Sequence, residues 1–209
     1  ILLTSASFAS MRDVTHLGIF GIAEFSNIPN LVIISPSSKE ELLSALDWSV
    51  DQREHPVMIL MPGNEVNSRE QILSIGELDK FELTQKGEKL AIIGLGGFYQ
   101  KGEGLAKAVE EKYGFRPTLI NPRFASGIDK ELLDSLAETH KLVITLEDGI
   151  LAGGFGQKIA SHLGTSNLKV KNYGLEKKFY DRYNAKALLK ELGMDDESIL
   201  NDIKEMLSL

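Results

Sequence analysis

The run Leu31–Ile34, "LVII", constrains this chain more than any other stretch. It is rich in β-branched residues and does not alternate with polar ones. A strand of that kind is covered on both faces, which is the habit of a parallel sheet between helices. Pro36 stops it, and Ser38 with Glu41 has the spacing of a capping box. The spacing predicts a helix from about Lys39 to Arg53 with Leu42, Ala45, Leu46 and Val50 facing the core. Val57–Met61 follows as a strand closed by Pro62-Gly63. The opening segment Ile1–Ser5 reads as a short buried strand.

The texture changes over Asn64–Asp79, which is polar and without a sustained period. Alternation then resumes. Strands are expected at Leu90–Leu95, 117–121, 141–148 and 168–174. Helices are expected over 100–114, 129–140 with Asp129 as N-cap, and 153–164. Two more helices follow near Ala185–Leu192, after Asn184, and Glu197–Leu207, capped by Asp195 or Asp196. Connections of this length favour mostly parallel sheets. The fold class is therefore α/β, in two units: a partial domain over 1–63, a linker over 64–81, and a complete domain over 82–209.

Composition narrows the chemistry. The 209 residues are enough for a sizeable core. A net charge of −7 with no Lys/Arg run argues against nucleic acid or an anionic membrane as partner. The absence of cysteine excludes disulfides, thiolate catalysis and cysteine-based zinc sites. No apolar run has the length of a membrane-spanning helix, and a cytoplasmic location is expected.

The glycine cluster Gly94–Tyr99 lies between a strand and a helix, as in a dinucleotide fingerprint. Tyr99 stands where the third glycine would be, and the next strand closes on Asn121 rather than an acid, so a tight strand-to-helix turn is the expectation. The glycines of "LAGGFGQKIA" are expected to let a helix start close to the sheet. His55, His140 and His162 are expected to be surface or helix-end histidines. Glu147 and Asp148 follow a strand, at the sheet edge where ligands collect. Glu147 and the Gly153-Gly154 turn are expected to be structural. His16 is different. It sits in a loop after the first strand, between Thr15 and Gly18, with a side chain suited to proton transfer near neutrality. Position alone leaves open a functional histidine or a turn histidine.

The residues "THLGIF" (15–20) followed by "SNIPNLVIISPSSKEEL" (26–42) resemble the pyrimidine-binding domain of 1-deoxy-D-xylulose-5-phosphate synthases, thiamine-diphosphate enzymes of the transketolase superfamily. "LINPRFASGID" (119–129) and "LVITLEDGILAGGFGQKI" (142–159) are similar to the C-terminal domain of the same enzymes. The first motif is the narrower one; the others mark the superfamily. The resemblance implies a transketolase-type transferase for isoprenoid and thiamine precursors, which joins pyruvate to glyceraldehyde 3-phosphate with loss of carbon dioxide. It implies thiamine diphosphate and Mg²⁺ in the full-length parent, with none expected on these residues, and a homodimer completed by the N-terminal part of the same enzyme. His16 takes the place of a substrate-facing histidine, with Arg12, Asp13 and Thr15 as substrate-binding candidates. The chain departs from the pattern at Gly21 and Arg12, where the family has aspartates, and at Leu60–Asn64, which lacks the family's phosphate-binding arginine. Other readings stay open: a different acceptor, a piece of another transketolase-like or 2-oxoacid dehydrogenase β-type enzyme, or a non-catalytic dimerisation domain. The fragment by itself is expected to be inactive.

Overall fold

The computed structural model describes residues 1–4, 6–8, 13–61, 67–69 and 75–209. The first unit is a three-stranded parallel sheet of β1 (Leu2–Leu3), β2 (Val32–Ile34) and β3 (Val57–Leu60), in the order β1-β3-β2. A single 3-10 turn (Val14–His16) and a short helix α1 (Gly21–Phe25) lie between β1 and β2, and α2 (Lys39–Asp51) joins β2 to β3. The second unit is a five-stranded sheet in the order β4-β6-β5-β7-β8. Its strands are β4 (Glu82–Gln85), β5 (Lys89–Gly94), β6 (Thr118–Asn121), β7 (His140–Ile150) and β8 (Lys169–Leu175). Only the edge strand β4 runs antiparallel. The helices are α3 (Phe98–Tyr113), α4 (Lys130–Leu136), α5 (Phe155–Leu163), α6 (Ala185–Glu191) and α7 (Asp196–Leu207). Among the described residues no helix is long and apolar enough to cross a membrane.

Period-two segregation explains the non-alternating strands. Leu90 and Ile92 of β5, with Leu142 and Ile144 of β7, face a core that holds Leu105 and Ile203. Their neighbours Ala91, Ile93 and Val143 face the opposite side, toward Leu133 and Ile159. The first unit joins this second core through Ile33 and Met58, while Val32, Ile34 and Ile59 turn to Ala45 of α2. Both faces of β2 and β3, and of β5 and β7 apart from Lys89, Lys141 and the partly buried Asp148, are therefore dry, and one apolar layer is shared between the two sheets.

Helix starts follow side-chain chemistry. Ser38, Asp129, Asn184 and Asp195 each accept an N–H from the first turn of their helix. The Ser38–Glu41 pair is a variant of the capping box. Ser38 takes the Glu41 N–H, but the Glu41 carboxylate reaches Ser37 N–H and Oγ, at 2.7 and 2.8 Å.

Several expectations are corrected. Helix α2 ends at Asp51, with Gln52 as C-cap, not at Arg53. Val50 is 70% exposed, because the helix buries the face of Glu41 and Ala45, and Val50 lies on the opposite side of the turn. Strand β1 is an edge strand with Leu2 half exposed, so it is not covered. Of the two places expected for His140, surface or helix end, it takes the second and is buried there: its Nδ1 meets the Leu136 carbonyl at the end of α4, and its Nε2 meets Thr118 Oγ1 at 2.8 Å. Burial lowers its pKa. Helix α1, the 3-10 turn and strand β4 have no counterpart in the sequence reading. Pro62 and Gly63 lie outside the described residues.

Candidate functional site

In an open α/β sheet the crevice for ligands lies at the carboxyl ends of strands whose connections leave in opposite directions. Here that point is between β5, which leads through α3 to β6, and β7, which leads through α5 to β8. The chain fills the crevice itself. Phe8, between β1 and the 3-10 turn, is 4% exposed and its ring lies 6.0 Å from that of Phe98, at the start of α3. The Phe8 N–H donates to Asp148 Oδ1 at 2.9 Å, and its carbonyl accepts from the Tyr183 hydroxyl. Further along, Ile150 N–H donates to the Ile19 carbonyl at 3.1 Å. The segment that carries His16 is thus fastened to β7 at both ends, and Leu17 and Ile19 sink into the second unit's core.

Glu147 and Asp148 are spent on these joints. Glu147 is fully buried, and its two oxygens accept Phe155 N–H and Gly156 N–H at 2.8 Å each, closing the first turn of α5. Burial pushes its carboxyl up to about 7, although the two N–H groups pull the other way. Burial likewise pushes Asp148 up to about 6, against the Ser7 hydroxyl and the Phe8 N–H. The glycine turns serve close approach. A Cβ on Gly154 would stand 2.5 Å from both Glu147 Oε2 and the Ile150 carbonyl. Gly96, at φ +56°, lets the turn after β5 meet Ser35 of the first unit.

Between the fastened ends, the 3-10 turn stands out into solvent with Asp13, Thr15 and His16 exposed. Asp13 N-caps it through the Thr15 N–H at 2.9 Å and also accepts the Thr15 hydroxyl at 2.6 Å. That hydroxyl lowers the pKa of Asp13. Thr15 Oγ1 lies 2.8 Å from His16 Nδ1. The loop after β8 supports the turn from below: Asp181 accepts the Val14 N–H at 3.3 Å, and Phe179 meets Phe20 edge-on at 5.5 Å. Three of the four candidates therefore come together; Arg12 lies outside the described residues. The roles of Asp148 and Asp181 were not legible in the sequence, because each partners a backbone N–H more than a hundred residues away. The one signal was the placement of Asp148 at the end of a strand.

Among the described residues no group of three or more His, Asp or Glu side chains could hold a metal ion. At this edge Glu147 and Asp148 are both engaged with backbone N–H groups of the chain itself.

The family model for "Transketolase, C-terminal domain" matches residues 79–199. The chain belongs to the transketolase C-terminal domain family. Its curated relatives include the 1-deoxy-D-xylulose-5-phosphate synthases of Clostridium tetani and Clostridium perfringens. The first is 31% identical over 92% of this chain and 31% of its own length; the second is 34% identical over 99% and 34%. The resemblance carried by "THLGIF" and the later motifs holds on this wider comparison, and the chain spans about a third of these relatives. Among solved structures, a protein described as "Split gene transketolase, inactive beta4 tetramer" superposes at TM-score 0.84 with 20% identity, over all of this chain and 66% of that one. A mutant transketolase from Pichia stipitis superposes at 0.73 with 15% identity, over 98% and 29%. These likenesses show the fold, a transketolase-type α/β arrangement with mostly parallel sheets.

Proposed function

We propose that this chain is the C-terminal third of a thiamine-diphosphate-dependent 1-deoxy-D-xylulose-5-phosphate synthase, and that His16 faces the substrate. In this reading residues 1–63 complete a pyrimidine-binding-type domain, 64–81 connect, and 82–209 form the C-terminal domain. The whole enzyme joins pyruvate to glyceraldehyde 3-phosphate with loss of carbon dioxide, in the cytoplasm, as a homodimer. The cofactor and Mg²⁺ are held by parts of the enzyme outside these residues, and this chain alone does not turn over.

The observation that carries the reading is the histidine of a synthase-like motif on an exposed turn, braced at both ends by the second unit. A side chain so held can take or return a proton at a fixed place with little reorganisation. Asp13 and Thr15 lie beside it; Arg12 is proposed as a substrate contact from the sequence. The absence of arginine from Leu60–Asn64 favours a second reading, a transketolase-like enzyme with a different acceptor.

The test is carbon dioxide release from pyruvate by the whole protein, with glyceraldehyde 3-phosphate, thiamine diphosphate and Mg²⁺. His16→Ala is expected to lower turnover on the order of 10²–10⁴-fold with an unchanged melting temperature. Unchanged turnover and KM would remove His16 from the site. No release by a cofactor-loaded parent would turn the assignment to another donor and acceptor.

A further inference from the structure

We infer that Thr15 is a positioning residue that fixes the tautomer of His16, so that Nε2 offers a lone pair to a hydroxyl group of the substrate. This rests on the reading of His16 as substrate-facing. The argument is a count of protons. Asp13 as a carboxylate is an acceptor only, and it takes both the Thr15 N–H at 2.9 Å and the Thr15 hydroxyl at 2.6 Å. Thr15 has one hydroxyl proton, and it points at Asp13. Toward His16 Nδ1, 2.8 Å away, Oγ1 then has only lone pairs. A hydrogen bond there requires the proton on Nδ1.

In the neutral ring Nε2 is consequently the acceptor. Among the described residues it has no partner, and His16 is exposed. The arrangement suits a hydroxyl on the substrate better than a carbonyl, since a neutral Nε2 accepts but does not donate. If Nε2 takes a proton from that hydroxyl, the ring becomes imidazolium while Nδ1–H stays on Thr15, so Asp13 supports the new charge through Thr15. Among the described residues, the other charges facing Asp13 and the turn are Arg182, which draws on Asp13, and Asp181, which holds the Val14 N–H. Neither has a hydrogen bond to the imidazole.

The experiment is long-range ¹H–¹⁵N spectroscopy of the whole protein labelled at histidine alone, at a pH where the imidazoles are neutral, with His16 assigned by its loss in His16→Gln. The wild type is expected to show Nδ1–H at His16. Thr15→Val, which removes the hydroxyl at similar volume, is expected to move the ring to Nε2–H, the form an unconstrained imidazole prefers. Thr15→Ser is expected to restore Nδ1–H, and kcat should follow the tautomer while KM moves less. Nε2–H in the wild type, or the same spectrum in Thr15→Val, overturns the proposal. Undiminished turnover in His16→Gln would instead overturn the functional reading, and leave the tautomer measurement to stand or fall separately.

Discussion

At the scale of single residues, burial matters more than residue type. Glu147 and Asp148 are neighbours on one strand, yet neither is available for chemistry. Asp148 holds the segment that bears His16, and this has a consequence with pH. Its folded carboxyl titrates near 6, above the ordinary 3.8. The folded state therefore keeps a proton that the unfolded state has released, and this contribution to stability is lost as pH rises from about 4 to about 6. Glu147 acts in the same sense between 4.5 and about 7. His140, lowered by burial, acts in the opposite sense near its ordinary 6.5. Asp148→Asn keeps an acceptor for the Phe8 N–H and removes the ionisation. Relative to wild type it is expected to gain on the order of 2 kcal/mol between pH 4 and pH 8. Urea titrations of both proteins at the two pH values measure the difference, and a constant difference would show that Asp148 does not titrate in this range.

At the scale of elements, the turn between β7 and α5 has no spare space. Gly154 has an ordinary φ of −76°, so its demand is steric rather than conformational. Gly154→Val would drive atoms into Glu147 and the Ile150 carbonyl, and is expected to cost about 1–3 kcal/mol. For a chain of this size that is about 2–4 °C per kcal/mol in melting temperature, readable by calorimetry. An unchanged melting temperature would mean that the turn relaxes freely. Helix α2 is a milder case. Ser38→Ala removes an N-cap and is expected to cost about 1 kcal/mol by denaturant midpoint.

At the scale of the whole molecule, the two units are joined by a buried polar cluster as well as by apolar contact. Glu41, 2% exposed, accepts from Asn121 Nδ2 at 2.6 Å and has Arg69 and Arg123 at 3.7 and 3.9 Å. Both arginines also approach Glu82 of β4. The adjoining backbone pairs Ser35 N–H with the Arg123 carbonyl and Ala125 N–H with the Ile33 carbonyl, which bridges the two units. Glu41→Ala would leave two guanidinium groups and the Ser37 N–H without their central acceptor, and is expected to cost about 3–5 kcal/mol. The readout is one cooperative denaturation turning into two, since the contact between units is what fails. Loss of stability in a single transition would place the cost within the first unit instead.

Local information in the sequence was sufficient for the long strands and helices, but not for α1, the 3-10 turn or β4. The apolar runs at Leu31–Ile34 and Leu90–Leu95, the caps Ser38, Asp129 and Asn184, and the C-cap Gly114 act within a few residues of themselves, so propensity and period report them directly. Val50 and β4 show where this stops. The buried face of α2 was decided by what packs on Glu41 and Ala45, and β4, with mixed polar residues, became a strand by pairing with β6. The motif around His16 was legible as a motif, and so were Asp13 and Thr15 beside it. Only the tertiary structure decided that Asp148, Ile150 and Asp181 brace that turn, and that the chain's own Phe8 fills the crevice between β5 and β7. Those bonds join positions more than a hundred residues apart, and no periodicity along a chain encodes which distant backbone group a buried carboxylate will hold.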